Sequence, residues 1–66
     1  MPYVNVRMVV GRTQEQKDEI LQGVTEVISK VLSKDPEATY VVIDEVPAEN
    51  WGIGGRSIAE RKKAGS

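Results

Sequence analysis

The chain has 66 residues, and its nine lysines and arginines against ten aspartates and glutamates leave a formal net charge of −1. This balance argues against a nucleic-acid-binding surface. The sequence contains neither cysteine nor histidine, which excludes disulfides, thiolate nucleophiles and thiolate zinc sites and removes the usual metal ligand and the usual general base near neutral pH.

The first predicted element is a β-strand from Tyr3 to Val10. Its side chains alternate with a period of two, and β-branched residues are frequent. One face carries Val4, Val6, Met8 and Val10, and the other carries Tyr3, Asn5 and Arg7. Gly11 and Arg12 interrupt this alternation and end the strand.

A long amphipathic helix follows. Thr13 and Gln16 have the spacing of a capping box, in which the threonine hydroxyl accepts a hydrogen bond from a free N–H at the helix start. Apolar residues then recur at helical spacing and form one continuous stripe: Ile20, Leu21, Val24, Val27, Ile28, Val31 and Leu32. We expect the segment 34–36 to end the helix, because Pro36 disfavours helical geometry in the residue before it.

A second strand is predicted from Thr39 to Val46. The nearly unbroken apolar run from Tyr40 to Ile43 is typical of a parallel sheet that is covered on both faces. Strand, helix and strand then form a right-handed β-α-β crossover unit, which places the chain in the α/β (α+β) class. One helix cannot cover both faces of the sheet, so we expect a second copy of the chain to pair with it.

The remaining chain contains turns and a short arm. Three glycines occupy four positions from Gly52 to Gly55, which indicates tight turns or a close approach of the backbone. We expect the tail from Arg56 to Ser66 to form a short helix or a hairpin arm against a neighbouring subunit and to fray after about Arg61. No repeat or second domain is visible, so residues 1–66 are expected to form a single domain.

The size of the chain also favours self-association. A domain of about 60 residues buries only about 60% of its unfolded surface and often needs additional stabilisation. Without disulfides or a metal, oligomerisation is the remaining way to stabilise so small a domain, and we expect a homo-oligomer. No apolar run approaches the ~20 residues of a membrane span, and the amino terminus lacks the pattern of a signal peptide. A soluble, cytoplasmic protein with no membrane or nucleic-acid partner is therefore expected.

Pro2 is the most informative candidate for chemistry. Proline suits the first position of a strand, so one interpretation of Pro2 is purely structural. The other interpretation is chemical, because methionine is removed readily before a small residue and Pro2 would then carry a free secondary amine. An α-amino group titrates at about 7.7–8.0, and apolar surroundings or a nearby cation lower that pKa. Such an amine is a competent general base and a nucleophile toward carbonyl groups.

Arg12 and Trp51 are weaker candidates on their own. Arg12 lies a strand length from Pro2, roughly 30 Å at full extension, so the two share a site only if the chain curls or another subunit contributes. Otherwise Arg12 is a solvated loop residue. Trp51 is either a packing residue or the wall of a site. The adjacent carboxylates Asp44 and Glu45 are expected to face opposite sides of their strand and to form no acid–base pair.

Several features occur together: Pro2 behind the initiator methionine, the segments GRTQEQK, VVIDEV and NWGIGG, and the amphipathic helix. In this combination, from Pro2 to about Arg61, the chain resembles the 4-oxalocrotonate tautomerases of the tautomerase superfamily. The resemblance implies a β-α-β subunit that dimerises into a four-stranded sheet backed by two helices. It also implies a homohexamer built as a trimer of dimers, with active sites formed by more than one chain.

The resemblance further implies an activity and roles for single residues. The activity is that of a cofactor-independent keto–enol tautomerase, whose small-molecule substrate is a 2-hydroxydienoate or a related enolisable 2-oxo acid. Met1 is removed, and the amine of Pro2 is the general base. Arg12 binds a substrate carboxylate and draws electron density along the conjugated system. Trp51 walls the pocket where the family usually has phenylalanine, and neither a cofactor nor a metal is expected.

Tyr40 departs from the family pattern. It occupies the position of a second arginine, which engages the 2-oxo acid end of the substrate from a neighbouring subunit. A tyrosine donates one hydrogen bond without charge, and the loss of a charge-assisted contact costs on the order of 2–4 kcal/mol in the transition state. Three other arginines could replace it across a subunit boundary: Arg7, Arg56 and Arg61.

Two alternatives stay open. Within the superfamily, an amino-terminal proline also serves the hydration chemistry of haloacrylate dehalogenases and of malonate semialdehyde decarboxylase. Those enzymes usually have an additional carboxylate that activates water. Outside it, the chain would be a non-catalytic oligomeric binding module in which Pro2 only begins the strand. Retention of Met1 would block the amine and favour this last interpretation.

Overall fold

The β-α-β unit predicted from the sequence is present. The computed structural model describes residues 2–65 of the chain. None of the helices in this range is both long and apolar enough to cross a membrane. In chain order the elements are β1 (Tyr3–Val9), α1 (Gln14–Leu32), β2 (Tyr40–Val46), β3 (Gly52–Ile53), β4 (Arg56–Ser57) and α2 (Ile58–Gly65), with single 3₁₀ turns at Pro36–Ala38 and Ala48–Asn50.

Strands β1 and β2 pair in parallel, as the apolar run in β2 predicted. Their register extends from Tyr3 opposite Tyr40 to Val9 opposite Val46. One more backbone hydrogen bond continues the pairing at the amino end, where the N–H of Tyr40 donates to the carbonyl oxygen of Pro2 at 2.9 Å. Pro2 therefore extends the sheet by one residue at its amino end.

Helix α1 begins where the capping box predicted. The Oγ1 atom of Thr13 accepts the N–H of Gln16 at 3.1 Å, and the Oε1 atom of Gln16 accepts the N–H of Thr13 at 3.0 Å. The helix ends at Leu32, because Ser33 adopts a left-handed conformation with a φ of 53° and donates its N–H to the Ser29 carbonyl. A left-handed C-cap, rather than the proline further along the chain, sets the end of the helix.

Helix α1 packs on one face of the sheet, against β2. An ion pair between Lys17 Nζ and Glu45 Oε1, at 2.8 Å, joins the two elements. Since side chains alternate along a strand, this contact places Val41 and Ile43 on the same side, toward the helix. We call the opposite side the open face; it carries Tyr3, Asn5, Arg7 and Val9 from β1 and Tyr40, Val42, Asp44 and Val46 from β2.

A single chain lacks a sealed hydrophobic core. Within the described residues no hydrophobic side chain is fully buried, and the one buried residue is Thr39. The Cα radius of gyration is 15.4 Å, against about 11 Å for a compact domain of this length. This exposure agrees with the expected self-association. The large exposed side chains include Val27, Val31 and Leu32 on α1 and Tyr3, Tyr40 and Val42 on the open face.

The glycine-rich segment forms the turn of a small hairpin. Strands β3 and β4 pair antiparallel, and between them Gly54 and Gly55 adopt φ angles of 61° and 88°. Two successive positive φ angles suit the tight turns that join twisted strands, and glycine adopts them without strain. Helix α2 then extends to Gly65, so the predicted arm from Arg56 contains the second strand of the hairpin and a helix. Its fraying after about Arg61 stays a prediction.

Candidate active site

Pro2 and Tyr40 lie together at the amino end of the sheet. Their backbone hydrogen bond joins them, and the exposed side chains of Tyr3 and Tyr40 are cross-strand neighbours on the open face. Pro2 itself is half-buried. The predicted removal of Met1 concerns a residue outside the described range. In a chain without Met1, the prolyl nitrogen is a free amine at this end of the sheet.

Arg12 and Trp51 lie at the opposite, carboxyl end of the sheet. Arg12 is exposed in the loop between β1 and α1 and makes no hydrogen bond or ion pair with the rest of the described chain. Gly11, with a φ of 124°, allows the backbone to turn out of β1 into this loop. Trp51 follows β2 after a 3₁₀ turn, in which its N–H donates to the Ala48 carbonyl at 3.4 Å.

A single chain does not bring all the predicted site residues together. The seven residues of β1 separate Pro2 from the loop that holds Arg12, a distance of about 23 Å at 3.3 Å per residue. Trp51 lies at the same end as Arg12, because β1 and β2 are parallel and in register. One chain therefore holds the predicted site residues as two separate pairs, Pro2 with Tyr40 at one end of the sheet and Arg12 with Trp51 at the other.

Trp51 borders a pocket of about 280 Å³ on the open face. The tryptophan is half-buried, and its carbonyl oxygen accepts the N–H of Ile58 at 2.8 Å, which ties the residue to the start of α2. Trp51 therefore packs against its own chain and also lines a pocket. Among the described residues, those that line this pocket are Arg7, Val46, Asn50, Trp51 and Gly52.

Arg7 is the charged group of this pocket. Its Nη2 atom donates to Asp44 Oδ2 across the two strands at 3.0 Å, and the two side chains are 63% and 50% exposed. From the sequence, Arg7 is only one of three candidate arginines. The position of Arg7 beside Trp51 follows from the register of β1 and β2. The alternation of side chains within β1 does not predict that register.

The two adjacent carboxylates of β2 point to opposite faces of the sheet, as predicted. Asp44 pairs with Arg7 on the open face, and Glu45 pairs with Lys17 beneath α1. The strand therefore provides no pair of carboxylates for acid–base chemistry. Among residues 2–65, no group of three histidine, cysteine, aspartate or glutamate side chains is placed to hold a metal ion.

Comparisons with known sequences connect this arrangement to a family. The family model described as "Tautomerase enzyme" matches residues 2–61. The chain is also 48% identical, over 67 residues, to "Probable tautomerase K2" of Dickeya dadantii, and the match covers 100% of both sequences.

Two solved structures have the same fold. The crystal structure of TomN, a 4-oxalocrotonate tautomerase homologue of the tomaymycin biosynthetic pathway, has a TM-score of 0.93 at 32% identity, covering 98% of this chain and 100% of TomN. A heterohexamer 4-oxalocrotonate tautomerase from Chloroflexus aurantiacus has a TM-score of 0.86 at 30% identity, covering 91% of this chain and 97% of that chain.

Proposed function

This chain belongs to the tautomerase family and is an enzyme of that type, and we propose that it is a cofactor-independent keto–enol tautomerase of a 2-hydroxydienoate or a related enolisable 2-oxo acid. The observation that carries the proposal is the position of Pro2 at the amino end of the sheet, in a chain without histidine or cysteine. Once Met1 is removed, the Pro2 amine serves as the general base. Ketonisation of 2-hydroxymuconate above the rate in buffer tests this proposal.

The complete site forms between subunits of a homo-oligomer. Within residues 2–65, β2 pairs with one edge of β1 and no strand pairs with the other. If two such edges pair antiparallel about a two-fold axis, a four-stranded sheet results, and the carboxyl end of one half lies beside the amino end of the other. Pro2 then meets the partner's Arg12 and the partner's Trp51. Three such dimers make a homohexamer, in line with the six-chain assembly of the Chloroflexus enzyme.

The reaction moves one proton and one system of double bonds. The neutral Pro2 amine takes the proton of the 2-hydroxyl group, whose oxygen forms the carbonyl as the diene electrons shift. The protonated proline then delivers that proton to a distant carbon of the conjugated system and is neutral again. The partner's Arg12 holds the carboxylate and stabilises the charge that moves along the system. The partner's Trp51 excludes water, which strengthens these electrostatic interactions.

We expect kcat/KM to rise with pH through a single titration and then to level off. Only the neutral amine accepts a proton, so activity is lost as pH falls through the pKa of Pro2. The partner's Arg12 and the partner's Trp51 both favour the neutral amine, so its pKa is expected below that of an ordinary α-amino group. A pH–rate profile of kcat/KM measures this pKa. Activity that is flat across this range, or that survives acylation of the amine, would show that Pro2 is not the base.

One flank of α1, beside the side that faces the sheet, is a second surface for assembly. An apolar groove of about 400 Å³ lies there, lined by Ile20, Gly23, Val24, Val27 and Ile28. Val27 is 61% exposed in the single chain. In a dimer whose two α1 helices lie on the same face of one four-stranded sheet, each helix would cover the groove of the other.

Val27→Glu is therefore expected to break the oligomer and to remove most of the activity, because an unpaired carboxylate would be buried between the helices. Light scattering measures the change in mass. Gln22→Glu is the matched control, since it adds the same charge at an exposed position on the far side of α1. A Val27→Glu protein with the mass and activity of the wild type would rule out this interface.

A further inference from the structure

Thr39 is the one buried residue of the described chain, and its hydroxyl group has no partner. The residue is 9% exposed, and within residues 2–65 its Oγ1 atom makes no hydrogen bond. An unpaired hydroxyl is unfavourable in a buried position, because it has lost its hydrogen bonds to water, and such groups normally find a partner. The neighbours of this hydroxyl therefore indicate what it binds.

Thr39 lies directly across the sheet from Pro2. The register that pairs Tyr3 with Tyr40 continues by one residue, because the N–H of Tyr40 donates to the Pro2 carbonyl at 2.9 Å. Thr39 is extended, with φ −101° and ψ 124°, so its side chain lies on the side of the sheet that faces α1, opposite to that of Tyr40. Pro2 alternates with Tyr3 and lies on the same side. Neighbouring strands are about 4.8 Å apart, which brings the hydroxyl within reach of the amino-terminal residue.

The prolyl nitrogen becomes a partner for Thr39 only when it is the amino terminus. In a peptide bond this nitrogen has no hydrogen to donate, so it leaves the hydroxyl unpaired. After removal of Met1 it is a secondary amine, with one N–H and one lone pair when neutral and two N–H groups when protonated. A hydroxyl oxygen can accept an N–H of the amine in either state.

We propose that Thr39 is a positioning residue whose hydroxyl oxygen accepts the N–H of the Pro2 amine and directs the lone pair toward the substrate. The inference rests on the proposed role of Pro2 as the general base. A neutral secondary amine has a single N–H, so the direction of its lone pair is fixed once that N–H is bound. Threonine suits this task because its branched side chain is stiff about χ1.

Thr39→Val tests the proposal, because it keeps the shape of the side chain and removes the hydroxyl. We expect kcat for 2-hydroxymuconate to fall about 5- to 20-fold, through the loss of one orienting hydrogen bond. The pKa of Pro2 is expected to fall further below its ordinary value, because the hydroxyl oxygen stabilises the protonated amine more than the neutral one. Thr39→Ser keeps the hydroxyl and should restore both quantities. Thr39→Ala also lacks the hydroxyl and repeats the test with a smaller side chain.

Two measurements give the pKa of Pro2: the pH–rate profile, and a nitrogen NMR titration of the labelled Pro2 amine in protein whose intact mass shows the loss of Met1. Thermal unfolding and light scattering show that each variant is folded and assembled. The titratable side chains near Thr39 on the surrounding elements are exposed and are the same in every variant: Tyr3, Lys30, Lys34, Asp35, Glu37 and Tyr40. A change in the pKa of Pro2 among the variants therefore belongs to the hydroxyl.

Ser29→Ala is the matched control, since Ser29 carries the other buried hydroxyl without a partner among the described residues. The ion pair of Lys17 with Glu45 sets the level of α1 on β2. Ser29 lies about 18 Å further along the helix than Lys17. Thr39 lies about 20 Å back along the strand from Glu45, so both hydroxyls are at the same end of the sheet. Ser29 is on the helix and not across from Pro2, and its replacement should leave the pKa of Pro2 unchanged.

Three results would overturn the role of Thr39. The first is an unchanged pKa of Pro2 in a folded Thr39→Val protein. The second is a raised pKa, which would mean that the hydroxyl donates to the lone pair and blocks it. The third is an equal change in Thr39→Val and Ser29→Ala, which would reflect packing at the end of α1.

The NMR titration also separates this inference from the proposed function, because it does not depend on activity. An active wild-type enzyme whose Pro2 keeps its pKa after Thr39→Val overturns the role of Thr39 alone. A wild-type protein that does not ketonise the enol, but in which Thr39→Val lowers the pKa of Pro2, overturns the tautomerase proposal and supports the contact between Thr39 and the amine.

Discussion

Pro2→Ala is expected to lower kcat/KM for the ketonisation of 2-hydroxymuconate by about 10²- to 10⁴-fold, the contribution typical of a positioned general base. The pyrrolidine ring fixes the direction of the nitrogen lone pair, whereas the primary amine of alanine rotates about its bond to Cα. Residue 2 keeps its hydrogen bond to Tyr40 in the variant, because the backbone carbonyl is the acceptor. The sheet should therefore remain intact, and the loss should fall on catalysis.

Steady-state kinetics of Pro2→Ala, with the amino-terminal mass of each preparation, measure this effect. Gln22→Glu, on the exposed side of α1, is the control and should match the wild type. Thermal unfolding of both variants separates a catalytic loss from a loss of fold. Wild-type kinetics in a Pro2→Ala protein that has lost Met1 would show that catalysis does not depend on the secondary amine of the pyrrolidine ring.

Arg12→Ala has the second large expected effect, a fall in kcat/KM of about 10²- to 10³-fold, as for the removal of other groups that stabilise developing charge. Arg12 is exposed and contacts no polar partner in the described part of its own chain, so its removal should leave the subunit's stability unchanged. Arg12→Lys should recover only part of the activity, because lysine keeps the charge but not the bidentate geometry of the guanidinium.

Mixing the two inactive variants tests whether Pro2 and Arg12 of different subunits share a site. A dimer of one Pro2→Ala chain and one Arg12→Ala chain has one site with both residues intact and one site with both replaced. With random pairing about the two-fold axis, dissociation and reassembly of an equal mixture should restore about 25% of wild-type activity. A site formed within one chain predicts no recovery at all, and that result would contradict the shared site.

Local structure was largely predictable because short-range patterns encode it. The spacing of Thr13 and Gln16 predicted the capping box, and both of its hydrogen bonds are present. The apolar run of β2 predicted a parallel pairing, which is also present. Period-two alternation placed Asp44 and Glu45 on opposite faces, and each forms its ion pair on a different side of the sheet.

Boundaries and long-range pairings were less predictable. The end of α1 depends on the left-handed conformation of Ser33, which no proline or glycine marks in the sequence. Val10 was expected to complete the first strand, but it follows the end of β1 and is exposed. The Arg7–Asp44 pair depends on the register of two strands joined by a long crossover, and the alternation within each strand does not specify that register.

The candidate site could be predicted only as a set of residues. Within one chain the predicted residues lie at opposite ends of the sheet, and apolar side chains of α1 and of the open face are exposed. The proposed meeting of Pro2 with the partner's Arg12 depends on the symmetry of an assembly, which is a property of several chains and not of local sequence patterns.

The role of Pro2 as the catalytic base is tested by measuring the intact mass and the rate of 2-hydroxymuconate ketonisation on one purified sample. We expect a chain that has lost Met1, so that Pro2 is the amino terminus, and a ketonisation rate far above that in buffer. A chain that retains Met1 and is nevertheless active, or a chain that begins at Pro2 and ketonises the enol no faster than buffer, would contradict the assignment of Pro2 as the catalytic base.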